Sequence, residues 1–170
     1  MLSKKIEEAL NKQIESESMS SQLYLAMASW AEGQGYSGTA EFLYTHADEE
    51  RMHMLKLLRY INERSGHGIV PALKQPPKTF SSISEVFNQI LKHEVAVSSE
   101  INSLVEACLT DKDYATNNFL QWYVSEQIEE ERLAKTVVDK LNLIGNDKGG
   151  LYLFDRDLAG LSAGEAEGKK

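Results

Sequence analysis

The chain has 170 residues, 42% hydrophobic and 26% charged, which is enough for one domain with a sizeable buried core. Its net charge of −8 argues against nucleic acid as a partner, because proteins that bind nucleic acids present a basic face to the phosphates. Its one cysteine excludes an internal disulfide, and no apolar run reaches the roughly 20 residues of a membrane span, so we expect a cytoplasmic protein without a membrane partner.

The first helix is predicted over residues 3–32, where apolar residues recur in steps of three and four. It ends in a glycine-rich turn at 33–38. The second helix is predicted over 39–65, with Gly66 placed as the C′ residue that ends it. Because the turn between these helices is short, we expect them to form an antiparallel hairpin.

The third helix is predicted to open at the capping-box pattern Ser82-x-x-Glu85 and to continue to about Leu109. After a short turn, Asp113 is a suitable N-cap for a fourth helix. This helix runs to about Ile144, before Gly145. A second antiparallel hairpin is therefore predicted.

The connection between the two hairpins decides the topology. It covers residues 67–81, holds all three prolines and shows no helical period. A helix of about 27 residues is roughly 40 Å long, and a 15-residue segment can stretch to about 50 Å. The connection can therefore run the full length of a bundle, which makes the second and third helices parallel. The fold predicted is all-α: a four-helix bundle with one long crossover.

A short amphipathic piece at 151–158 follows the bundle and is predicted to form a fifth helix, packed at one end of the bundle or on another subunit. Residues 162–170 are small and polar and are predicted to form a disordered tail. We therefore expect one folded domain over residues 1–161.

Each of the four long helices carries an apolar stripe that a carboxylate or amide interrupts near its middle. The interrupting residues are Glu17 on the first helix, Glu50 and His53 on the second, Glu94 on the third, and Gln127 and Glu130 on the fourth. None of the stripes holds Lys or Arg, and carboxylates buried together cannot all stay ionised without protons or metal ions. The histidine three residues after Glu50 favours metal, and carboxylates with one imidazole suit iron or manganese.

With these residues the sequence resembles the ferritins, and in particular the bacterial non-haem ferritins, over the whole chain. The resemblance rests on Glu17, Tyr24, Glu50-x-x-His53, Glu94, Gln127-x-x-Glu130 and the run NFLQWYVSEQ at 118–127. It implies a ferritin-like bundle, a ferroxidase that oxidises ferrous iron at a diiron centre, and a shell of 24 subunits that stores ferric mineral. It also implies that Glu17 and His53 hold one iron, that Glu94 and Glu130 hold the other, and that Glu50 bridges them, with Gln127 beside the second iron.

The resemblance further implies a third iron site, built from Glu49, Glu126 and Glu129 with help from Glu130. The alternative is a solvated acidic face, since three consecutive glutamates on a helix are unremarkable. Tyr24, on the same stripe as Glu17, is either a hydrogen-bond partner or electron relay for the site, or a packed core tyrosine.

Other residues have simpler interpretations. His46 is taken as a core histidine. No haem is expected, because Arg51 occupies the position of the bacterioferritin haem-ligating methionine, and Met52 is rotated by about 100° around the helix.

Two other functions remain open: a diiron oxidase or peroxide scavenger that stores no iron, and a helical interaction module without metal. The physiological oxidant, oxygen or hydrogen peroxide, the role of the third site and the routes of iron entry and release are not decided by the sequence.

Overall fold

The structure is a computed structural model that describes residues 2–168, with side chains described through Gly160. The described part is all-helical: α1 (Lys4–Gly33), α2 (Ser37–Glu63), α3 (Ile83–Thr110), α4 (Tyr114–Ile144) and α5 (Lys148–Gly168). The predicted helix bounds are confirmed to within about two residues for α1 to α4. Among these helices none is both long enough and apolar enough to cross a bilayer.

Side-chain caps fix three of the helix starts. Ser3 accepts a hydrogen bond from the Ile6 amide at 3.3 Å, and Asp113 accepts one from the Thr116 amide at 3.1 Å. Ser82 accepts from the Glu85 amide at 3.1 Å, as predicted. The reciprocal bond of the capping box is shifted by one residue, because the Glu85 carboxylate accepts from the amide of Ser81.

The end of α2 differs from the prediction. The left-handed residue is Ser65, with φ of 60°, and not Gly66. At Gly66 the crowding is with side chains: a Cβ atom there would lie 2.9 Å from both the Glu7 carboxylate and the Ile61 side chain. A larger residue at this position would therefore have to displace the ends of these two side chains.

Two apolar clusters at opposite ends of the bundle establish the topology. One combines the end of α1 and the starts of α2 and α3, including Met27, Leu43 and Phe87. The other combines the start of α1 with the ends of α2 and α3, including Leu10, Leu57 and the buried Cys108. Since α2 and α3 start at the same end, they are parallel, and the predicted long crossover is confirmed.

The crossover lies against α1 at its beginning. The Asn11 side chain donates to the carbonyl of His67 at 3.0 Å and accepts from the amide of Ile69 at 2.8 Å. The far end of the crossover is buried through Phe80, which packs edge-on against Trp30. These contacts tie the segment to the bundle at both ends.

Helix α5 docks on the start of α2. The first turn of α2 has no cap of its own, and Asp155 of α5 accepts hydrogen bonds from the amides of Gly38 at 3.1 Å and Thr39 at 2.7 Å. Phe154 and Leu158 are buried in the adjacent cluster. The helix is longer than the predicted piece at 151–158, and its backbone extends into the segment predicted as a tail. The side chains after Gly160 and the whole of residues 169–170 lie outside the described part, so the tail stays a prediction.

Candidate metal centre

The polar interruptions of the four stripes lie at one level, between the two apolar clusters. Seven of the predicted site residues are buried there, each less than 10% exposed: Glu17, Tyr24, Glu50, His53, Glu94, Gln127 and Glu130. Steps of three and four along each helix keep these side chains on the inward face. The bundle therefore closes around a polar layer that the flanking apolar layers separate from solvent.

The first group in this layer joins α1 and α2. The Nδ1 atom of His53 lies 3.5 Å from Glu17 Oε2 and 3.8 Å from Glu50 Oε2. One ligand atom from each of the three buried residues lies within 4.8 Å of the others. Metal–ligand bonds of about 2.0–2.2 Å allow such atoms to share one ion. The three residues predicted to hold and bridge the first iron are therefore brought together.

Gln13 positions Glu17 within this group. Its side-chain amide donates to Glu17 Oε1 at 2.8 Å, while Glu17 Oε2 is buried with no hydrogen-bond partner among the described residues. A buried carboxylate oxygen left in this way is costly unless a cation reaches it. Its position facing His53 fits a metal ion held between the two side chains.

The second group joins α1, α3 and α4 at Glu94. The Tyr24 hydroxyl donates to Glu94 Oε1 at 2.6 Å, and the Gln127 side chain donates to Glu94 Oε2 at 2.8 Å. Both carboxylate oxygens of Glu94 are therefore held by neutral donors. Gln127 therefore lies beside Glu94, which the resemblance assigns to the second iron.

Glu130 lies farther along the layer, toward α2. Its Oε2 atom is 3.9 Å from His46 Nε2, and Glu49 Oε2 is 4.0 Å from the same nitrogen. These three residues are buried and form a second group with ligand atoms within 4.8 Å of one another. His46 was predicted to be a core histidine; it is buried as expected, but its free nitrogen faces two carboxylates.

The residues of the predicted third site differ in their exposure. Glu49 is buried, and Glu126 Oε1 lies 3.9 Å from His53 Nε2, on the opposite edge of that ring from Glu17. Glu129 is exposed on α4. The acidic third site that the resemblance implies therefore stays a prediction.

Burial and mutual repulsion dominate the electrostatics of the carboxyl groups. Burial and the nearby Glu17 raise the pKa of Glu50 to about 8. Burial, followed by the charges of Glu94 and Glu50, raises the pKa of Glu130 well above its usual value. In the metal-free protein Glu50 therefore holds its proton at neutral pH.

The charged form of His53 is favoured, whereas the neutral forms of Glu50 and Glu130 are favoured. Burial acts to lower its pKa, but contacts with the carboxylates of Glu17 and Glu50 outweigh burial and raise the pKa to about 10. The imidazolium is the one cationic side chain within 4.0 Å of Glu17 and Glu50 among residues 2–160. Protons thus supply the positive charge that metal ions would supply in the loaded site.

Aromatic side chains wall the site on the α4 side. The rings of Trp122 and Tyr123 lie 5.4 and 5.6 Å from the His53 ring, and they stack on each other at 4.6 Å. Lys56 covers the Trp122 ring at 3.4 Å. These rings pack against His53, which is 7% exposed.

Two residues of the site were missed by the sequence interpretation. Gln13 lies four residues before Glu17 on the same stripe, which was a detectable signal. His46 lies three residues before Glu49, but only the tertiary structure brings Glu130 to the same point.

A four-helix bundle with a parallel crossover, and with buried carboxylates and an imidazole at its centre, is the arrangement in which ferritin-like bundles can bind metal ions. The family model of the ferritin-like domain matches residues 7–144, and the chain belongs to the ferritin-like family.

Relatives and solved structures agree with this membership. The chain is 47% identical over 156 residues to a bacterial non-haem ferritin of Campylobacter jejuni, covering 92% of this chain and 93% of the relative. It is 46% identical over 162 residues to a probable bacterial non-haem ferritin-like protein of Haemophilus influenzae, covering 95% and 98%. The crystal structure of an open-pore ferritin from Archaeoglobus fulgidus superposes with a TM-score of 0.92 at 42% identity, covering 94% of this chain and 98% of that one.

Proposed function

We propose that this chain stores iron, and that it oxidises ferrous to ferric iron at a pair of sites inside each subunit. The observation that carries the proposal is the convergence of Glu17, Glu50 and His53 in a buried layer, with ligand atoms within 4.8 Å. Family membership supports the storage function. The donor set supports iron as the substrate, because carboxylate and imidazole ligands suit iron.

The proposed roles follow the placement of these residues in the buried polar layer. Glu17 and His53 would hold one ferrous ion, and Glu94 and Glu130 would hold the second, with Glu50 bridging. Gln127 is hydrogen-bonded to Glu94 and would orient this carboxylate. Glu50 lies within the first group, and its charge raises the pKa of Glu130, which supports its position between the two ions.

The redox balance needs both ions. Each ferrous ion gives up one electron, and one dioxygen accepts two electrons and two protons to become hydrogen peroxide. The Tyr24 hydroxyl, hydrogen-bonded to Glu94, and the protons carried by Glu50 and His53 lie in the same layer. Ligation of iron displaces the latter two protons, so they become available at the point of oxidation.

We further propose that 24 subunits assemble into a hollow shell, located in the cytoplasm, in which the ferric product accumulates. A shell of 24 chains of 19.1 kDa has a mass of roughly 460 kDa. Sedimentation separates this assembly from a scavenger that stores no iron: a species near the shell mass that retains ferric iron supports storage, and a monomer or dimer that releases it refutes storage.

The oxidation step is tested by rapid mixing with ferrous iron in air. The wild type should oxidise about two irons per subunit in a fast phase, and the Glu50→Ala/His53→Ala double variant should lose that phase. The matched control is Glu63→Ala/His67→Ala, which removes an exposed glutamate and an exposed histidine near the end of α2. A fast phase unchanged in the first variant would refute the proposed centre.

A further inference from the structure

His46 is held rigidly at the edge of the polar layer. Its Nδ1 atom lies 2.9 Å from the carbonyl oxygen of Phe42, and its ring packs at 4.0 Å from the Phe42 ring. A carbonyl oxygen can only accept a hydrogen bond, so Nδ1 must carry the proton. In the neutral ring, Nε2 then presents a lone pair.

That lone pair faces an acidic pocket. His46 is 2% exposed, and its Nε2 atom makes no hydrogen bond among the described residues. It lies 4.0 Å from Glu49 Oε2 and 3.9 Å from Glu130 Oε2. These distances are too long for hydrogen bonds. They allow the three atoms to ligate one ion, each about 2.0–2.2 Å from it.

We infer that His46, Glu49 and Glu130 form a binding site for a divalent transition-metal ion, with His46 Nε2 as its nitrogen ligand. The site shares Glu130 with the proposed pair of iron sites but does not require them, because its other two ligands belong to neither. It shares Glu49 and Glu130 with the predicted acidic third site and differs from it in the nitrogen ligand His46, and in the absence of Glu126 and of the exposed Glu129.

The donor set defines the class of ion. An imidazole nitrogen with two carboxylates favours zinc, cobalt, manganese or ferrous iron over magnesium and calcium, which prefer all-oxygen ligands. The Phe42 carbonyl supplies the hydrogen bond that metal-ligating histidines usually make through their other nitrogen. This hydrogen bond fixes the orientation of the His46 ring before any ion binds.

Zinc is the appropriate probe, because it binds such ligands and undergoes no redox change. Crystals of the chelator-treated, full-length protein would be soaked in zinc, and anomalous scattering would be measured at the zinc edge. We expect a peak about 2.1 Å from His46 Nε2 that also contacts Glu49 and Glu130. No peak within about 3 Å of this nitrogen, or zinc held there only by Glu126 and Glu129, overturns the inference.

The variant His46→Gln should lose this peak and bind one zinc fewer per subunit in equilibrium dialysis, and a tenfold excess of magnesium should not displace zinc from the wild type. The matched control is His67→Gln, which alters an exposed histidine and should retain the peak. An unchanged peak in His46→Gln, or displacement by magnesium, contradicts the inference. If His46→Gln does not fold, two other measurements test the inference. They are the zinc peak in the wild-type map and the zinc peak in Glu49→Gln, whose side chain has nearly the same shape as glutamate.

The same maps separate this inference from the proposed function. Zinc beside His46 but absent from Glu17, Glu50 and His53 would support the inference and refute the proposed oxidation centre. Zinc at Glu17, Glu50 and His53 but absent from His46 would support the proposed oxidation centre and overturn the inference about His46.

Discussion

Tyr24 donates a hydrogen bond to Glu94 across the bundle, from α1 to α3, with 2.6 Å between the hydroxyl and Oε1. Tyr24 is 1% exposed, and burial together with the charge of Glu94 raises its pKa well above the usual value, so the hydroxyl remains a donor. Gln127 donates to the other oxygen of Glu94. The conformation of Glu94 is therefore set by two neutral donors before any cation binds.

Removal of the Tyr24 donor tests this arrangement. In Tyr24→Phe, Glu94 keeps one of its two side-chain donors, and we expect a loss of about 1–3 kcal/mol in unfolding free energy and an initial ferrous oxidation about tenfold slower. Denaturant unfolding and rapid mixing measure the two effects. Tyr44→Phe is the matched control, because Tyr44 donates to Glu32 at 2.9 Å on the surface. Wild-type oxidation in Tyr24→Phe would show that this hydrogen bond does not position the site.

Metal binding should release protons from the site. With pKa values of about 8 for Glu50 and about 10 for His53, both residues are protonated at pH 7 in the metal-free protein. Because ligation requires a carboxylate and a neutral imidazole, zinc binding should release about two or more protons per subunit at pH 7. The release should fall by about one at pH 9, where Glu50 is already ionised. Calorimetry in buffers of different ionisation enthalpy measures this number, and a release below one at pH 7 contradicts the assignment.

The same two groups should make the metal-free protein less stable in alkali. Their pKa values rise on folding from 4.5 for Glu50 and 6.5 for His53, so the folded chain binds these protons more tightly than the unfolded chain. The stability that these protons contribute is fully present below the pKa values of the unfolded chain. It is lost as the pH rises through the folded-state pKa of about 8 for Glu50 and then about 10 for His53. Tm of the metal-free protein should therefore fall between pH 7 and pH 10. A flat profile, or the same fall in Glu50→Gln/His53→Gln, would show that other groups control it.

The docking of α5 should depend on Gly38. A Cβ atom at this position would lie 1.8 Å from the Asp155 carbonyl oxygen, which is backbone and cannot rotate away. Gly38→Ala should displace α5, break the Asp155 cap on α2 and lower stability by about 2 kcal/mol or more. Proteolysis of α5 and thermal unfolding measure the result.

Gly33→Ala provides the matched control, because a Cβ atom there has no neighbour within 4 Å. Alanine is the better helix former, so this variant should be neutral or slightly stabilised. Equal effects of the two substitutions would mean that close packing against α5 is not the reason for Gly38.

At the other end of the bundle, Asp113 should contribute stability that disappears in acid. It caps α4 and contacts Arg64 of α2 at 3.2 Å. Burial acts to raise the pKa of Asp113, but hydrogen bonds from Thr116 and then Arg64 outweigh burial and hold this pKa below 3.8. Its contribution is therefore present above pH 3.8 and is lost as the pH falls through the folded value.

Asp113→Asn should therefore cost about 1 kcal/mol at pH 7, and the difference from the wild type should shrink as the pH falls toward 3. Asp139→Asn, which disrupts an exposed pair with Lys135 on α4, should change stability by less than about 0.5 kcal/mol. Thermal unfolding across this pH range measures both, and a difference for Asp113→Asn that does not change with pH would contradict the charge-based explanation.

The amino-acid pattern alone predicts the bundle and most residues of its polar layer, although not the roles of Gln13 and His46. Helical periodicity is a local property, so Glu17, Glu50, Glu94 and Glu130 could be assigned to inward faces without coordinates. The ability of the connection to run the full length of the bundle could likewise be predicted, because the maximum span of an extended chain is fixed per residue. Family resemblance then supplied the expected role of each residue.

Contacts between helices could not be predicted in this way, because they depend on the rotation and depth of each helix relative to its neighbours. Three findings therefore came only from the structure: the grouping of His46 with Glu49 and Glu130, the exposure of Glu129, and the cap that Asp155 provides for α2. Periodicity identifies the face on which a side chain lies, but a separation of a few ångströms between helices decides which carboxylates can share an ion.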